Sequence, residues 1–235
     1  MLSPSPVSDA TSKAIEDIDS VTIRFAGDSG DGMQLTGTQF TDASAIFGND
    51  LATLPDFPAE IRAPAGTVAG VSAFQIHFSS HDIKTPGDDL DVLVAMNAAA
   101  LKANIGEMPD GADLIINTDE FTKRNLEKVG YAENPLEDGS LSRFRVHEVG
   151  LTSLTVEALK DFDLTRKEAE RSKNMFALGM LSWLYSRPMD TAKNFLNSKF
   201  AKKPEILAAN LRALEAGWSF GETTEVFSIQ YEVKP

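Results

Sequence analysis

Two short, continuously apolar segments constrain the fold of this chain more than any other feature. They are DLDVLVAMN (89–97) and GADLIINTDEF (111–121), and in both of them polar residues close the apolar run. Short runs with charged boundaries are typical of β-strands that are buried on both faces. Between them, AAALKANIGEM (98–108) has the composition of a helix. Strands that alternate with helices in this way predict an α/β fold with a largely parallel sheet.

The rest of the chain extends the same pattern. A helix is predicted over residues 33–47, because apolar residues recur there at a spacing of three to four before Gly48 and Asn49. Further strands are predicted at VTIRFAG (21–27), DLATLPDFP (50–58), GTVAGVSAFQIHF (66–78, a strand or a hairpin arm), SRFRVHEVGL (142–151) and EVFSIQYEVKP (225–235). Residues from about 152 to 221 are predicted to be helical. The predicted fold is therefore α/β and Rossmann-like, with a largely parallel sheet flanked by helices and a helical C-terminal portion.

The domain organisation follows from length and composition. A chain of 235 residues fits one large domain with extensions. Residues 1–20, rich in Ser, Pro and Asp, are predicted to be a mobile leader, and residues 21–235 to be one domain. The closing YEVKP has the look of a connection to further polypeptide, so we expect the domain to end at a linker; an exposed terminal tail is the alternative.

Charge and cysteine content exclude several functions. The net charge is −13, which argues against nucleic acid and anionic membranes as partners, because both require clustered Lys and Arg. The chain has no cysteine, which excludes disulfides, thiolate nucleophiles and cysteine-ligated iron–sulfur or zinc sites within it. No apolar run reaches the roughly 20 residues that a membrane helix needs, and the N-terminus lacks the pattern of a signal peptide. We therefore expect a cytoplasmic protein.

The main candidate site is the glycine-rich turn GDSGDG (27–32), which directly follows a predicted strand. Its spacing is G-x-x-G-x-G, which differs from the G-x-G-x-x-G of dinucleotide-binding domains. Asp28 and Asp31 would repel a diphosphate, although one of them could instead cap the helix that follows. We therefore expect the turn to hold a less charged ligand part, such as a pantetheine-like arm, through backbone N–H groups. The candidate ligand-binding residues are Gly27, Asp28, Ser29, Gly30 and Gly32.

Other polar residues at predicted strand ends extend the candidate site. Asn97 and residues 117–119 follow the two apolar runs, at the edge where open parallel sheets bind ligands. Phosphate groups could be contacted by Arg62, Lys123 or Arg124, each of which could equally be a solvated surface charge.

The segment FPAEIRAPAGTVAG (57–70) is a second candidate site. Its prolines and glycines disfavour both a helix and a central strand. Glu60 and Arg62 lie two residues apart, so on an extended segment they face the same side, either paired or presented together to a partner. A purely structural turn is the alternative.

Metal-binding and catalytic motifs are absent from the sequence. His77, His81 and His147 have no metal-ligand spacing around them, and His77 is expected to be a satisfied residue within a strand. There is no G-x-S-x-G, P-loop or H-E-x-x-H motif. We predict no catalytic side chain and no metal site in this chain.

Four motifs taken in order resemble a known family. AGDSGDGMQLTG (26–37), PAEIRAPAGTVAGVSAFQIHF (58–78), DVLVAMNAAAL (91–101) and SKNMFALGML (172–181) resemble the gamma domain of 2-oxoacid:ferredoxin (flavodoxin) oxidoreductases. The resemblance is greatest to the gamma domain at the front of the alpha subunit in two-subunit 2-oxoglutarate enzymes.

This resemblance implies a reaction and a division of labour. The whole enzyme converts a 2-oxoacid, coenzyme A and oxidised ferredoxin to acyl-CoA, carbon dioxide and reduced ferredoxin. Thiamine diphosphate, Mg²⁺ and a [4Fe–4S] cluster are implied in other domains or subunits, so this chain alone is expected to be inactive. The gamma domain is associated with coenzyme A and with closure over the active site. By position, the glycine turn would face the coenzyme, and Pro58, Glu60 and Arg62 would lie toward the thiamine-binding part.

Two other classes of function remain open at the level of sequence. The chain could be a Rossmann-like module that binds a nucleotide without catalysis, or a structural subunit whose glycine turn packs against a neighbour. Titration with coenzyme A and with NADH separates these classes.

Overall fold

A computed structural model of the chain describes residues 13–57 and 70–235. Its strands are β1 Ala14–Asp17, β2 Ser20–Asp28, β3 Asp50–Asp56, β4 Val71–Ser79, β5 Val92–Ala95, β6 Asp113–Asn117, β7 Arg145–Val149 and β8 Ile229–Glu232. Its helices are α1 Met33–Phe47, α2 Ala98–Asn104, α3 Lys123–Lys128, α4 Leu151–Ala158, α5 Arg166–Glu170, α6 Lys173–Leu184, α7 Asp190–Lys199 and α8 Pro204–Thr223. Short 3₁₀ turns follow α2 and β6.

The central sheet has six strands in the order β3-β4-β2-β5-β6-β7. Strands β2, β5, β6 and β7 run parallel to one another, whereas β4 lies antiparallel between β2 and β3. The register aligns Ile23 with Val92, Val92 with Asp113, and Asp113 with Arg145 across the parallel half. This confirms the predicted α/β fold with a largely parallel sheet.

Alternation along the central strands separates two apolar layers. In β5, Val92 and Val94 face the larger core, which includes side chains of α1, α6 and α8. Leu93 and Ala95 face the smaller core, formed with α2 and α3. Because successive side chains of a strand point to opposite faces, the continuous apolar run is explained by burial on both sides.

Helices α6 and α8 approach each other closely at glycines. A β-carbon at position 179 would lie 1.9 Å from the carbonyl oxygen of Leu214, and one at position 217 would lie 1.9 Å from that of Phe176. Neither contact is sterically possible, so glycine is required at both positions for this helix separation. The helical C-terminal portion therefore depends on two glycines that the apolar periodicity does not reveal.

The two ends of the described chain meet in a separate two-stranded sheet. Strand β1 pairs in parallel with β8, aligning Ala14 with Ile229 and Asp17 with Glu232. Lys234 forms an ion pair with Asp17. Residues 1–12 of the predicted leader lie outside the described residues, whereas the part from Ala14 onward forms β1 and the start of β2. The division into leader and domain stays a prediction.

Over residues 13–57 and 70–235, none of the helices combines the length and the apolar character needed to span a bilayer. The longest of them, α8, carries charged residues throughout and packs against α6.

Candidate functional site

The sheet has a cleft at each end of its parallel strands. The cleft at the carboxyl ends has a volume of about 110 Å³ and is lined by Asp28, Asp31, Asn97, Ala98, Ala99, Glu120, Asn125, Lys128, Val129 and Lys173. The cleft at the amino ends is larger, about 280 Å³. We take the smaller one as the candidate functional site, because open parallel sheets bind ligands beyond the carboxyl ends of their strands. We call it the carboxyl-end cleft.

The glycine turn forms one wall of the carboxyl-end cleft. Gly27 ends the buried part of β2, and a β-carbon there would lie 2.9 Å from Oδ2 of Asp31. Gly32 precedes α1 with φ 76°, a left-handed conformation that favours glycine. At Gly30, in contrast, a β-carbon would meet no atom of the described residues within 4 Å. The turn is therefore tightly packed at its two ends and open at Gly30.

Both aspartates of the turn have partners within the protein, but only Asp31 is paired with a cation. Oδ1 of Asp31 lies 2.9 Å from Nζ of Lys173, and its Oδ2 accepts a hydrogen bond of 3.0 Å from the backbone N–H of Asp28. Oδ1 of Asp28 accepts a hydrogen bond of 3.0 Å from Nδ2 of Asn97. The expectation that one aspartate caps α1 was wrong, because Gly32 is the N-cap and makes no side-chain cap bond. The carboxylate of Asp31 instead pairs with Lys173 and accepts the backbone N–H of Asp28 within the turn.

Asn97 joins the turn to the next strand end. Its Oδ1 accepts a hydrogen bond of 2.8 Å from the backbone N–H of Ala100, which caps α2, while its amide group reaches Asp28. The structure thus brings Asn97 together with the glycine turn, as their positions at neighbouring strand ends predict. Helix α1, by comparison, begins without a side-chain cap, and among the described residues no side chain accepts from its first N–H groups.

The polar residues at the end of β6, residues 117–119, stabilise the fold. Nδ2 of Asn117, which is fully buried, donates to the backbone oxygen of Met96 at 3.2 Å and to Oγ1 of Thr152 at 3.1 Å. Oδ2 of Asp119 accepts a hydrogen bond of 2.7 Å from the backbone N–H of Ser153 in the first turn of α4. These groups are used to join β5, β6 and α4.

The predicted phosphate contacts lie elsewhere or outside the described residues. Lys123 is almost fully exposed and pairs with Glu127 at 3.9 Å, and neither Lys123 nor Arg124 lines the cleft. Arg62 lies within residues 58–69, which the structure does not describe. The same is true of Pro58 and Glu60, so the role of that loop stays a prediction.

Four polar residues of the cleft were not identified from the sequence. Lys173 begins α6, Glu120 and Asn125 flank the start of α3, and Lys128 ends α3. Burial raises the pKa of Glu120, against the lowering effect of Lys173 and together with the charge of Asp31. The motif SKNMFALGML contains Lys173, but nothing in it indicates that its lysine meets a turn more than 140 residues away.

Asn174 also supports the turn from α6. It is 7% exposed, and its Nδ2 lies 2.5 Å from where a β-carbon of residue 32 would be. Glycine at position 32 is therefore required both by φ and by the close approach of this side chain. Lys173 and Asn174 together fix the exit of the turn into α1.

The amino-end cleft contains a different cluster. Asp113 accepts hydrogen bonds of 2.9 and 2.6 Å from Nε and Nη2 of Arg145, and its Oδ1 lies 2.8 Å from Nε2 of His147. Although burial acts to raise it, the hydrogen bonds from His147 and Arg145 lower the pKa of Asp113. This cluster joins β6 to β7, and Nδ1 of His147 faces the backbone oxygen of Val226 at 3.3 Å. Its contacts are those of a structural cluster.

We expect Asp113→Asn to destabilise the protein at neutral pH and to have little effect in acid. A carboxylate whose pKa is lowered by folding stabilises the protein above its unfolded-state pKa, about 3.9, and this contribution is lost as the pH falls through the lower folded-state value. Thermal unfolding of both proteins from pH 7 to pH 2 measures the difference. Asp110→Asn, which affects the exposed pair with Arg143, is the control with a small expected effect. A difference that stays constant down to pH 2 would contradict the assignment.

The histidines show no arrangement for metal binding. His77 lies in β4, and its Nδ1 is 2.9 Å from the backbone oxygen of Thr85, so it is satisfied as expected. Within the part of the chain that the structure describes, no three His, Asp or Glu side chains are grouped so that they could hold a metal ion.

This fold and this cleft define a Rossmann-like α/β domain with a candidate ligand-binding cleft, where a glycine turn and an asparagine-capped helix meet at the carboxyl edge of a parallel sheet. The chain belongs to the pyruvate ferredoxin/flavodoxin oxidoreductase family, whose sequence profile matches residues 22–220. The match confirms the resemblance that the four motifs indicated.

A curated relative gives a finer comparison. The chain is 60% identical over 218 residues to the 2-oxoglutarate oxidoreductase subunit KorA of Mycobacterium tuberculosis. The aligned region is 93% of this chain and 33% of KorA, so this chain spans about a third of the length of that relative.

Solved structures agree on the fold. The 2-oxoglutarate:ferredoxin oxidoreductase from Magnetococcus marinus, with 2-oxoglutarate, coenzyme A and succinyl-CoA bound, is 26% identical with a TM-score of 0.69, over 93% of this chain and 34% of that chain. The pyruvate oxidoreductase subunit PORC from Thermotoga maritima is 18% identical with a TM-score of 0.56, over 86% of this chain and 97% of that one. The gamma subunit of a keto/oxoacid ferredoxin oxidoreductase from Geobacter sulfurreducens is 17% identical with a TM-score of 0.57, over 86% and 98%. The last two comparisons show similarity of fold alone.

Proposed function

We propose that this chain is the gamma domain of a coenzyme A-dependent 2-oxoacid:ferredoxin oxidoreductase, and that its 2-oxoacid is 2-oxoglutarate. The whole enzyme would convert 2-oxoglutarate, coenzyme A and oxidised ferredoxin to succinyl-CoA, carbon dioxide and reduced ferredoxin. The identity of 60% to KorA is the observation that carries the choice of substrate. Oxidative decarboxylation would take place with thiamine diphosphate, Mg²⁺ and a [4Fe–4S] cluster in other parts of the enzyme, since this chain has no cysteine to hold a cluster.

The contribution proposed for this chain is coenzyme A binding at the glycine turn. Gly30 is exposed with open space around it, so a ligand can approach its backbone closely. The start of α1, which no described side chain caps, would supply N–H donors beside it. The carboxylate of Asp31 is paired with Lys173, whereas that of Asp28 accepts a hydrogen bond from the neutral amide of Asn97 and keeps its charge, so an uncharged part of the ligand suits the turn.

Closure of the active site and contact with the thiamine-binding part belong to the same proposal. The segment that carries Pro58, Glu60 and Arg62 follows in sequence on β3 and on Phe57, whose side chain is exposed. An exposed aromatic side chain next to this loop suits contact with another part of the enzyme. The cytoplasm is the proposed compartment for such an enzyme.

We expect Gly30→Val to weaken coenzyme A binding in the assembled enzyme while leaving stability nearly unchanged. Since the added side chain would project into open space, it obstructs a ligand without straining the fold. The KM for coenzyme A and the melting temperature measure the two effects separately. Gly106→Val is the matched control, because Gly106 is likewise exposed and open but lies outside the cleft.

Three outcomes would count against this proposal. An unchanged KM for coenzyme A in folded Gly30→Val would remove the glycine turn from the binding site. Binding of NADH in place of coenzyme A would favour a nucleotide-binding module, and binding of neither would favour a structural subunit.

A further inference from the structure

We propose that coenzyme A lies across the carboxyl-end cleft in one direction, with its uncharged pantetheine arm at the glycine turn and its phosphate groups at Lys128. This inference rests on the proposed coenzyme A binding and adds the orientation of the ligand and a residue that contacts it. It replaces Lys123 and Arg124 as the expected phosphate contacts on α3.

The first argument is the uneven distribution of charge along the cleft. Asp28 and Asp31 lie at the glycine turn, and Glu120 lies close enough to Asp31 and Lys173 for their charges to act on it. This end of the cleft therefore holds three carboxylates and one lysine, which is already paired with Asp31. Phosphate groups placed there would meet net negative charge, whereas the amide and methylene groups of a pantetheine arm would not.

The second argument is that Lys128 is a cation available to a ligand. It is exposed at the end of α3 and lines the cleft. Among the described residues it forms no ion pair, while Lys123 on the same helix pairs with Glu127. The carbonyl groups just after α3 are satisfied by Lys102, whose Nζ contacts the backbone oxygens of Val129 and Gly130 at 2.6 and 3.2 Å. Lys128 is therefore not needed to cap the helix.

The third argument is the small volume of the cleft. A cleft of about 110 Å³ is well below the roughly 300–1,000 Å³ of pockets that enclose a drug-sized ligand. A molecule as long as coenzyme A must therefore lie along the surface, with one part in the cleft and the rest beyond it. A coenzyme A molecule that lies across the cleft in this way would contact the open turn at Gly30 with one end and the exposed amine of Lys128 with the other.

The test is a set of calorimetric titrations on the full-length chain assembled with its partner subunits. Three probes separate the parts of the ligand: coenzyme A, pantetheine, which lacks the phosphates, and adenosine 3′,5′-bisphosphate, which lacks the arm. Lys128→Gln is expected to raise the Kd of coenzyme A and of the bisphosphate by about three- to tenfold, the effect of one charged contact, and to leave the Kd of pantetheine unchanged. Lys123→Gln is the matched control and should change none of the three.

Each outcome of these titrations supports or contradicts the proposed orientation of coenzyme A. Equal weakening of pantetheine and coenzyme A in Lys128→Gln, or no difference from Lys123→Gln, would overturn the orientation while leaving coenzyme A binding intact. If pantetheine alone binds too weakly to titrate, the bisphosphate decides, because it must lose affinity by the same factor as coenzyme A. A wild-type assembly that binds no coenzyme A would instead overturn the proposed function itself.

Discussion

Gly179→Ala should unfold or strongly destabilise the domain, although an alanine usually stabilises a helix. In a helix with free space, this change would gain about 1 kcal/mol from helix propensity. Here the new β-carbon would lie 1.9 Å from the carbonyl oxygen of Leu214, so α6 and α8 must separate. Overpacking of this kind costs roughly 1–3 kcal/mol or more, and the obstructing atom is backbone, which cannot rotate away. Urea unfolding followed by circular dichroism measures the loss.

The matched control for this prediction lies on the partner helix. Ser219→Ala changes an exposed residue of α8, two positions from Gly217, and should alter the free energy of unfolding by no more than about 0.5 kcal/mol. A Gly179→Ala protein as stable as the control would show that the two helices are farther apart than described above.

Lys173→Met is expected to cost about 2–4 kcal/mol of stability and to disorder the glycine turn. The Lys173–Asp31 pair is largely buried, with side-chain exposures of 15% and 13%, and removal of one partner leaves an uncompensated carboxylate. Because Asp31 also accepts the N–H of Asp28, the turn loses its anchor to α6. We therefore expect weaker coenzyme A binding as well as earlier unfolding in urea.

A second substitution distinguishes the charge effect from simple loss of packing. Asp31→Asn combined with Lys173→Met should recover part of the lost stability, because the unpaired charge is removed. Lys193→Met, at the more exposed pair with Glu215, should cost at most about 1 kcal/mol. Equal losses in Lys173→Met and Lys193→Met would mean that the pair with Asp31 is solvated.

Much of the fold could be predicted because local sequence signals coincide with tertiary burial. Helix α1 has the predicted bounds, Met33–Phe47, since Gly48 ends it in a left-handed conformation with φ 106°. The runs at β5 and β6 are apolar because both faces of these strands are covered. Their polar ends mark the edge of the sheet where the cleft lies. Each of these features depends on residues that are close together in the sequence.

What could not be predicted depends on residues far apart in the chain. The apolar spacing over residues 166–184 does not show that α5 ends at Glu170 and α6 begins at Lys173, an interruption that places Lys173 beside Asp31. Likewise, an isolated lysine such as Lys128 carries no signal for a ligand until α3 is placed against the cleft. The capping of α1 by an aspartate failed for the same reason, because the charge of Lys173 offered Asp31 a stronger partner.

The pairing of β1 with β8 has a consequence for how this domain can be connected to other polypeptide. The described chain enters the small sheet at Ala14 of β1 and leaves it at Glu232 of β8. These two residues lie on adjacent parallel strands, and they are separated by roughly 10 Å along the strand direction. A unit whose entrance and exit are neighbours can be joined to other polypeptides, or separated from them, without rebuilding its core. The solved relatives include both arrangements, since the shared fold fills about a third of the Magnetococcus chain and nearly all of the Thermotoga subunit. The small sheet thus fixes the positions of the two ends of the described chain relative to each other, so polypeptide joined at one end would start close to the other end.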